Sequence, residues 1–247
     1  MENNRSAQRV AIVTGASGGI GREVALRLSA EGFAVVIGYH HGEDVAHSVC
    51  SAIEARGGAA VAVKADLAAE SGASQLFGVA RERFGGVDVV FNNAGVVGTG
   101  PIATLAASDY DRLFDVNVRG ALMVLQQAAM HLRDGGRIVN TSSTIVGAPI
   151  AGSALYSASK AALEAFGRVL SKELGARGVT VNNVRLGPVV PGMFSKAPPE
   201  RQAAMAAASP FKRLGTPQDV ADVVAFLVGE QGGWVTGQTL TVDGGAT

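Results

Sequence analysis

A single cysteine, Cys50, stands in 247 residues, so no intramolecular disulfide can form within this chain. That suits a reducing compartment, and Cys50 falls on an expected surface helix, where it reads as filler. Charge is scarce as well. Charged residues make up 17% of the chain, and 21 basic side chains balance 21 acidic ones. Without a concentrated excess of positive charge, neither nucleic acid nor an anionic membrane is an expected partner. No apolar run reaches the roughly 18 residues of a membrane span. The polar tail at residues 1–8 lacks the apolar stretch of a secretion signal. The expected location is cytoplasmic, and no metal site is expected. Proline is also sparse, with eight in the chain, yet Pro188, Pro191, Pro198, Pro199 and Pro210 crowd into one stretch.

What is abundant is hydrophobic residues, at 47%, and glycine, at 33 residues. That composition excludes disorder and promises a generous core. Short β-branched runs alternate with longer amphipathic ones almost from end to end. Strands are expected at Arg9–Thr14, Ala34–Tyr39, Ala59–Lys64, Val87–Asn92, Arg137–Thr141, Val179–Leu186 and Thr239–Val242. Their nearly continuous apolar character fits strands covered on both faces. Helices are expected at Ile20–Glu31, Glu43–Ala55, Ala69–Phe84, Asp109–Arg133, Tyr156–Ala176 and Pro217–Val228. Gly32, Gly57 and Gly85 follow helix ends, where a left-handed residue is favoured. Ser108 and Asp111 resemble a weak capping box. The pattern predicts an α/β fold: one Rossmann-type domain over residues 9–247, with about seven parallel strands, doubly wound, and helices on both faces. The proline-rich stretch 187–210, with its run Ala203–Ala208, predicts a short helix on a substrate lid.

Two constellations carry chemistry. Thr14-Gly15-Ala16-Ser17-Gly18-Gly19-Ile20-Gly21 links the first strand to the first helix. Glycine there lets backbone turn sharply and approach a pyrophosphate, whose charge is stabilised by free N–H groups at the helix N-terminus. The second constellation is Tyr156 and Lys160, four residues apart and therefore on one helix face. Ser143 lies just past the fifth strand, where ligand-facing residues of an open α/β sheet belong.

Thr-Gly-x-x-x-Gly-Ile-Gly resembles the fingerprint of the short-chain dehydrogenases/reductases. Asp66-Leu67, Asn92-Asn93-Ala94-Gly95, Gly237-Gln238 and Val242-Asp243-Gly244-Gly245 are similar to further segments of that family, in order. Asn117, Ser143, Tyr156 and Lys160 match its catalytic tetrad residue by residue. The resemblance implies an oxidoreductase that moves a hydride between a nicotinamide cofactor and a ketone or secondary alcohol. Tyr156 would be the acid/base, Ser143 would bind the substrate oxygen, and Asn117 would hold a relay water. Lys160 would bind the nicotinamide ribose and help lower the Tyr156 pKa from about 10 towards 7. Cofactor contacts are implied at Gly15, Ser17, Gly19, Ile20 and Gly21, at Asp66 and Leu67, and at Asn93, Ala94 and Gly95. Tyr156, Lys160, Gly187 and Val189 complete that set.

The second strand ends Gly38-Tyr39-His40-His41, with no carboxylate until Glu43. An acid there would hold the ribose hydroxyls and repel a 2′-phosphate, so its absence favours NADPH, with NADH as the alternative. Tyr39, His40 and His41 are the expected contacts, and Tyr39→Asp the change expected to favour NADH. The sequence departs from the family pattern at Leu186, where proline is usual, and at Pro191, where threonine is common. Ile145 and Ile150, with Pro149, Leu155, Val96 and Val97, are expected to line an apolar pocket around Ser143 and Tyr156. Such a pocket suits an uncharged ketone. A 3-oxoacyl-carrier-protein reductase is the alternative, although Ala128 stands where such enzymes tend to carry arginine and only Lys172 keeps a positive charge. A cofactor-sensing regulator is a weaker alternative, since it would be expected to lack Tyr156 or Lys160. Apolar residues on more than one face of Asp109–Arg133 and Tyr156–Ala176 predict a homotetramer, or else a dimer.

Overall fold

The structure, a computed structural model, describes residues 8–247, so all of the expected polar tail but Gln8 lies outside the described residues. Seven parallel strands form one sheet in the order β3-β2-β1-β4-β5-β6-β7. They are β1 (Val10–Thr14), β2 (Ala34–Tyr39), β3 (Ala60–Lys64), β4 (Val87–Asn92), β5 (Leu132–Ser143), β6 (Thr180–Leu186) and β7 (Thr239–Val242). The order of the strands changes direction between β1 and β4, which opens a crevice beyond their carboxyl ends.

Alternation along each strand explains why the runs are apolar throughout. Ala11 and Val13 of β1, with Val35 and Ile37 of β2, pack on one side. They meet Val24 and Leu28 of α1 (Gly19–Ala30) and Val220, Val224 and Leu227 of α8 (Pro217–Val228). Val10, Ile12 and Val36 face the other way. There they meet Leu76 and Phe77 of α3 (Gly72–Phe84), Val124 and Leu125 of α5 (Ala121–His131), and Leu163 of α6 (Ala154–Glu173). Each such side chain contributes about 1.5–3 kcal/mol on burial, so both faces of the sheet are stabilised alike.

The expected helix Asp109–Arg133 is not one helix. It is α4 (Ala107–Phe114), a π-helical segment Asp115–Gly120, and α5, after which Leu132 already belongs to β5. Two contacts account for the break. Asn117 reaches the backbone of Val96, and Gly120 lies so close to Leu67 that a Cβ would stand 2.6 Å from its carbonyl oxygen. The cap of α4 also differs from expectation: the Asp109 carboxylate accepts the Ala106 N–H at 3.2 Å, while Ser108 lies inside the helix. Cys50 is buried on α2 (Glu43–Glu54), and burial pushes its thiol up to about 11. The remaining helix, α7 (Pro199–Ala208), occupies the stretch where a short helix was expected.

Candidate active site

The first βα turn is drawn tight by backbone contacts. Gly15 has φ +66°, and a Cβ on Gly21 would run into the Gly15 carbonyl. Both positions therefore require glycine. No side chain caps the N-terminus of α1 at Gly18, so the amides of its first turn are available to an anion. Ser17 Oγ donates to the His41 carbonyl at 2.8 Å, which joins this turn to the loop after β2. Thr14 Oγ1 accepts from Asn93 N (2.9 Å) and Ala94 N (3.0 Å), so the ends of β1 and β4 stay in register across the crevice. A cradle of glycines at an uncapped helix N-terminus fits a dinucleotide pyrophosphate.

The outer half of that site is mixed. His40 and His41 are exposed and stack with ring centroids 4.1 Å apart. Asp66 Oδ1 accepts the Ala68 N–H at 2.9 Å, and Oδ2 lies 4.0 Å from His40 Nε2. Tyr39 belongs elsewhere: its ring is 5% exposed, set in the core edge-on to His47. Aspartate at 39 would therefore bury a charge rather than face a ribose. Leu67 is also buried, and Ile20 is partly so. Glu43 is 3.6 Å from Lys64, which offsets its charge.

The four residues of the tetrad come from three elements. Ser143 ends β5, Tyr156 and Lys160 lie a turn apart near the start of α6, and Asn117 sits in the π segment. Lys160 is 3% exposed, its Nζ donates to the Thr141 carbonyl at 2.8 Å, and it stands 5.8 Å from the Tyr156 ring centroid. Burial lowers the lysine to about 8. Burial raises Tyr156 above the ordinary tyrosine value, against an opposing hydrogen bond with Ser143. In the protein alone, desolvation of the phenolate is the larger effect, and the expected lowering calls on the positive nicotinamide as well as on Lys160.

A Cβ on Gly95 would lie 3.2 Å from Asn117 Oδ1 and 3.4 Å from Lys160 Nζ, so the Asn93–Gly95 loop reaches the catalytic cluster through a glycine. Both hydrogens of the Asn117 amide are engaged, by the Val96 carbonyl and by Ser159 Oγ at 3.1 Å, while its Oδ1 accepts the Val96 N–H. No amide hydrogen of that side chain is left for a relay water. Two loops without charged side chains of their own, 96–104 and 144–153, flank the site and are joined where Gly100 N donates to the Gly152 carbonyl at 2.8 Å, with the Arg112 guanidinium against Gly98 and the Arg185 guanidinium against Gly147. Val97 and Ile150 stand half-exposed there, and Ile145, two residues beyond Ser143, donates its N–H to Ser143 Oγ at 3.4 Å. Just past β6, Gly187 N donates to the Val242 carbonyl (3.0 Å), while Val189 is buried and bridges to Gly215. Pro191 places its carbonyl against Gly19, so the stretch after β6 closes on the glycine turn.

Sequence reasoning missed the polar layer beneath this site. Asn92, Asn140 and Asn183 are register partners across β4, β5 and β6, hydrogen-bonded at 3.2 and 3.0 Å. Gly167 of α6 lies against them: its Cβ would stand 2.5 Å from Asn183 Oδ1. Nearby, the buried Glu164 pairs with the partly exposed Arg185. The signal was available as polar residues inside otherwise apolar strands.

The chain matches the family model described as Enoyl-(Acyl carrier protein) reductase over residues 15–247. A short chain dehydrogenase/reductase of Aspergillus aculeatus, AacuN, is 40% identical, and the alignment covers 97% of this chain and 96% of that protein. A short chain dehydrogenase from Burkholderia cenocepacia, solved in complex with NADP, is 40% identical with TM-score 0.92, covering 97% of this chain and 98% of that one. The angucycline C-6 ketoreductase LanV, solved with bound NADP, is 36% identical with TM-score 0.91, covering 96% and 95%.

Proposed function

This chain belongs to the short-chain dehydrogenase/reductase family, and we propose that it interconverts an uncharged ketone and a secondary alcohol with NADPH. One observation carries the reading: Tyr156 and the buried Lys160 share one face of α6, with Lys160 Nζ 5.8 Å from the Tyr156 ring, and Ser143 ends β5. NADP bound to LanV and to the Burkholderia protein supports the cofactor, and the absence of a carboxylate at His40 and His41 supports NADPH over NADH. The apolar residues of the flanking loops, Val97, Ile145 and Ile150 among them, support a neutral substrate.

Gly15, Ser17, Gly19 and Gly21 would hold the pyrophosphate, with Asp66 and the Asn93–Gly95 loop along the nucleoside. The nicotinamide, when bound, supplies or accepts the hydride. The protein's own part is the proton. At neutral pH the Tyr156 phenol is protonated and is the acid that gives a proton to the substrate oxygen during reduction. Ser143 offers a second hydroxyl to that oxygen. The Lys160 ammonium, oriented by the Thr141 carbonyl, favours the phenolate that remains. Asn117 fastens the loop that carries Val96, and residues 187–210 serve as the lid.

The family model's description keeps a 3-oxoacyl thioester as the second reading. Ala128 is fully buried, so that position presents nothing to an acidic carrier protein, which favours the free ketone. The test is a panel of ketones and 3-oxoacyl thioesters with NADPH and NADH, run on wild type and Tyr156→Phe. Ketone turnover with NADPH is expected, falling on the order of 1,000-fold in Tyr156→Phe while NADPH fluorescence titration is unchanged. Near-normal turnover in that variant would overturn the assignment.

A further inference from the structure

Beneath the tetrad, one carboxylate gathers three elements. Glu164 of α6 has a side chain only 3% exposed. Its Oε1 accepts Arg185 Nε at 3.0 Å and Ser142 Oγ at 2.6 Å, and its Oε2 accepts Arg185 Nη2 at 2.7 Å. Arg168, a turn away, lies 3.8 Å from Oε2, and Asn183 Nδ2 reaches the Glu164 carbonyl at 3.4 Å. Ser142 and Arg185 are register partners on β5 and β6, so both strands meet α6 at this one group.

Each arm leads directly to the catalytic cluster. Ser142 precedes Ser143. Glu164 is one helical turn beyond Lys160 and two beyond Tyr156. The Arg185 guanidinium lies under the turn after Ser143, where a Cβ on Gly147 would stand 3.1 Å from Nη1. Glu164 is buried and Arg185 is 26% exposed, and an ion pair so placed is a poor source of stability, since apolar residues of similar volume serve as well or better. What a bidentate fork has and apolar packing lacks is direction, because two parallel hydrogen bonds set both distance and angle.

We propose that Glu164 and Arg185 are positioning residues that set Ser143 against Tyr156, so that their pair governs kcat rather than binding. The proposal rests on the reading that Ser143, Tyr156 and Lys160 carry the proton chemistry. Proton and hydride transfer demand near-attack geometry, and a displacement of about 1 Å costs up to roughly 100-fold in rate. NADPH affinity draws on the glycine turn and the Asn93–Gly95 loop, whereas Gly147, which Arg185 meets, belongs to a mouth loop, so a positioning role is told from a binding role by whether the loss falls in kcat or in KM.

Three variants test this: Ser142→Ala, Arg185→Lys, and the double variant Glu164→Leu/Arg185→Met, which fills the site with apolar side chains. Melting temperature, NADPH titration, KM and kcat are measured for each, with Tyr156→Phe alongside. The double variant is expected to fold, to hold NADPH Kd and KM within about threefold, and to lose at least about 10-fold in kcat. Ser142→Ala and Arg185→Lys are each expected to lose about 3- to 10-fold in kcat at unchanged KM. A folded double variant with wild-type kcat, or one whose loss lies in KM or Kd, overturns the proposal. If the double variant does not fold, wild-type kcat in both single variants overturns it. Retained turnover in Tyr156→Phe would instead sink the underlying chemistry.

Discussion

Asn117 clasps both backbone groups of Val96: its Oδ1 accepts the Val96 N–H and its Nδ2 donates to the Val96 carbonyl, each at 2.8 Å. The clasp joins the π segment to the loop at the pocket mouth, and it explains why asparagine stands there. Asn117→Asp keeps one acceptor but turns the donor into a second acceptor facing the Val96 carbonyl. Loss of that bond, with a buried carboxylate left beside a carbonyl, costs a few kcal/mol. We expect kcat/KM to fall at least about 10-fold, measured by steady-state kinetics on the best ketone. Unchanged kinetics would mean that the loop's position does not matter to turnover.

Lys160 trades stability for chemistry. Burial holds its ammonium at about 8 in the folded protein, against 10.5 ordinarily. Between those values the unfolded chain binds more protons than the folded one, so stability attributable to this group rises with pH across that window. The penalty of burying the charge is therefore complete below pH 8 and fades towards pH 10.5. Lys160→Met should stabilise the protein at pH 7 by about 1–3 kcal/mol, less as pH rises, while abolishing turnover. Urea denaturation at pH 7 and pH 10 checks it. A variant less stable than wild type at pH 7 would contradict the sign.

Cofactor choice should rest on the exposed histidines rather than on Tyr39. Wild type is expected to show the higher kcat/KM with NADPH. His40→Asp places a carboxylate at an exposed position beside Ser17 and Asp66, and should shift the NADPH:NADH ratio towards NADH by about 10-fold or more. Matched assays with both cofactors decide this. A wild-type preference for NADH would mean that the loop after β2 does not receive a 2′-phosphate.

Assembly follows from what the single chain leaves uncovered. Leu122 and Met130 of α5 and Val169 of α6 are exposed, and Trp234 is 98% exposed. Helix faces of this kind are costly to leave in water, and we expect a homotetramer, with a dimer as the smaller alternative. Light scattering coupled to size exclusion at micromolar concentration should give a mass near four chains. A mass near 25.1 kDa would exclude assembly.

Much of this protein was legible along the chain. The strands were readable because burial on both faces makes a run apolar throughout, as Val10–Thr14 and Ala34–Tyr39 are. The glycine turn was readable because Gly15 and Gly21 meet a steric requirement that no other residue satisfies. Tyr156 and Lys160 were readable as a pair because helical spacing alone puts them on one face. The break at Asp115–Gly120 was not, since nothing local marks it. Its cause is a contact with Val96, 21 residues earlier, and another with Leu67.

Local pattern, then, decided the order of elements, the turn that can approach a phosphate, and the pairing of Tyr156 with Lys160. Periodicity and spacing act between near neighbours, and near neighbours are what a sequence displays. The folded chain decided the rest. Whether Tyr39 faces the crevice or the core depends on how β2 packs. Whether Tyr156 titrates low or high depends on how much water surrounds it. That Ser142, Glu164 and Arg185 meet at all depends on β5, α6 and β6 arriving at one point. Burial and long-range contact are properties of three-dimensional packing, so only the tertiary structure could settle them.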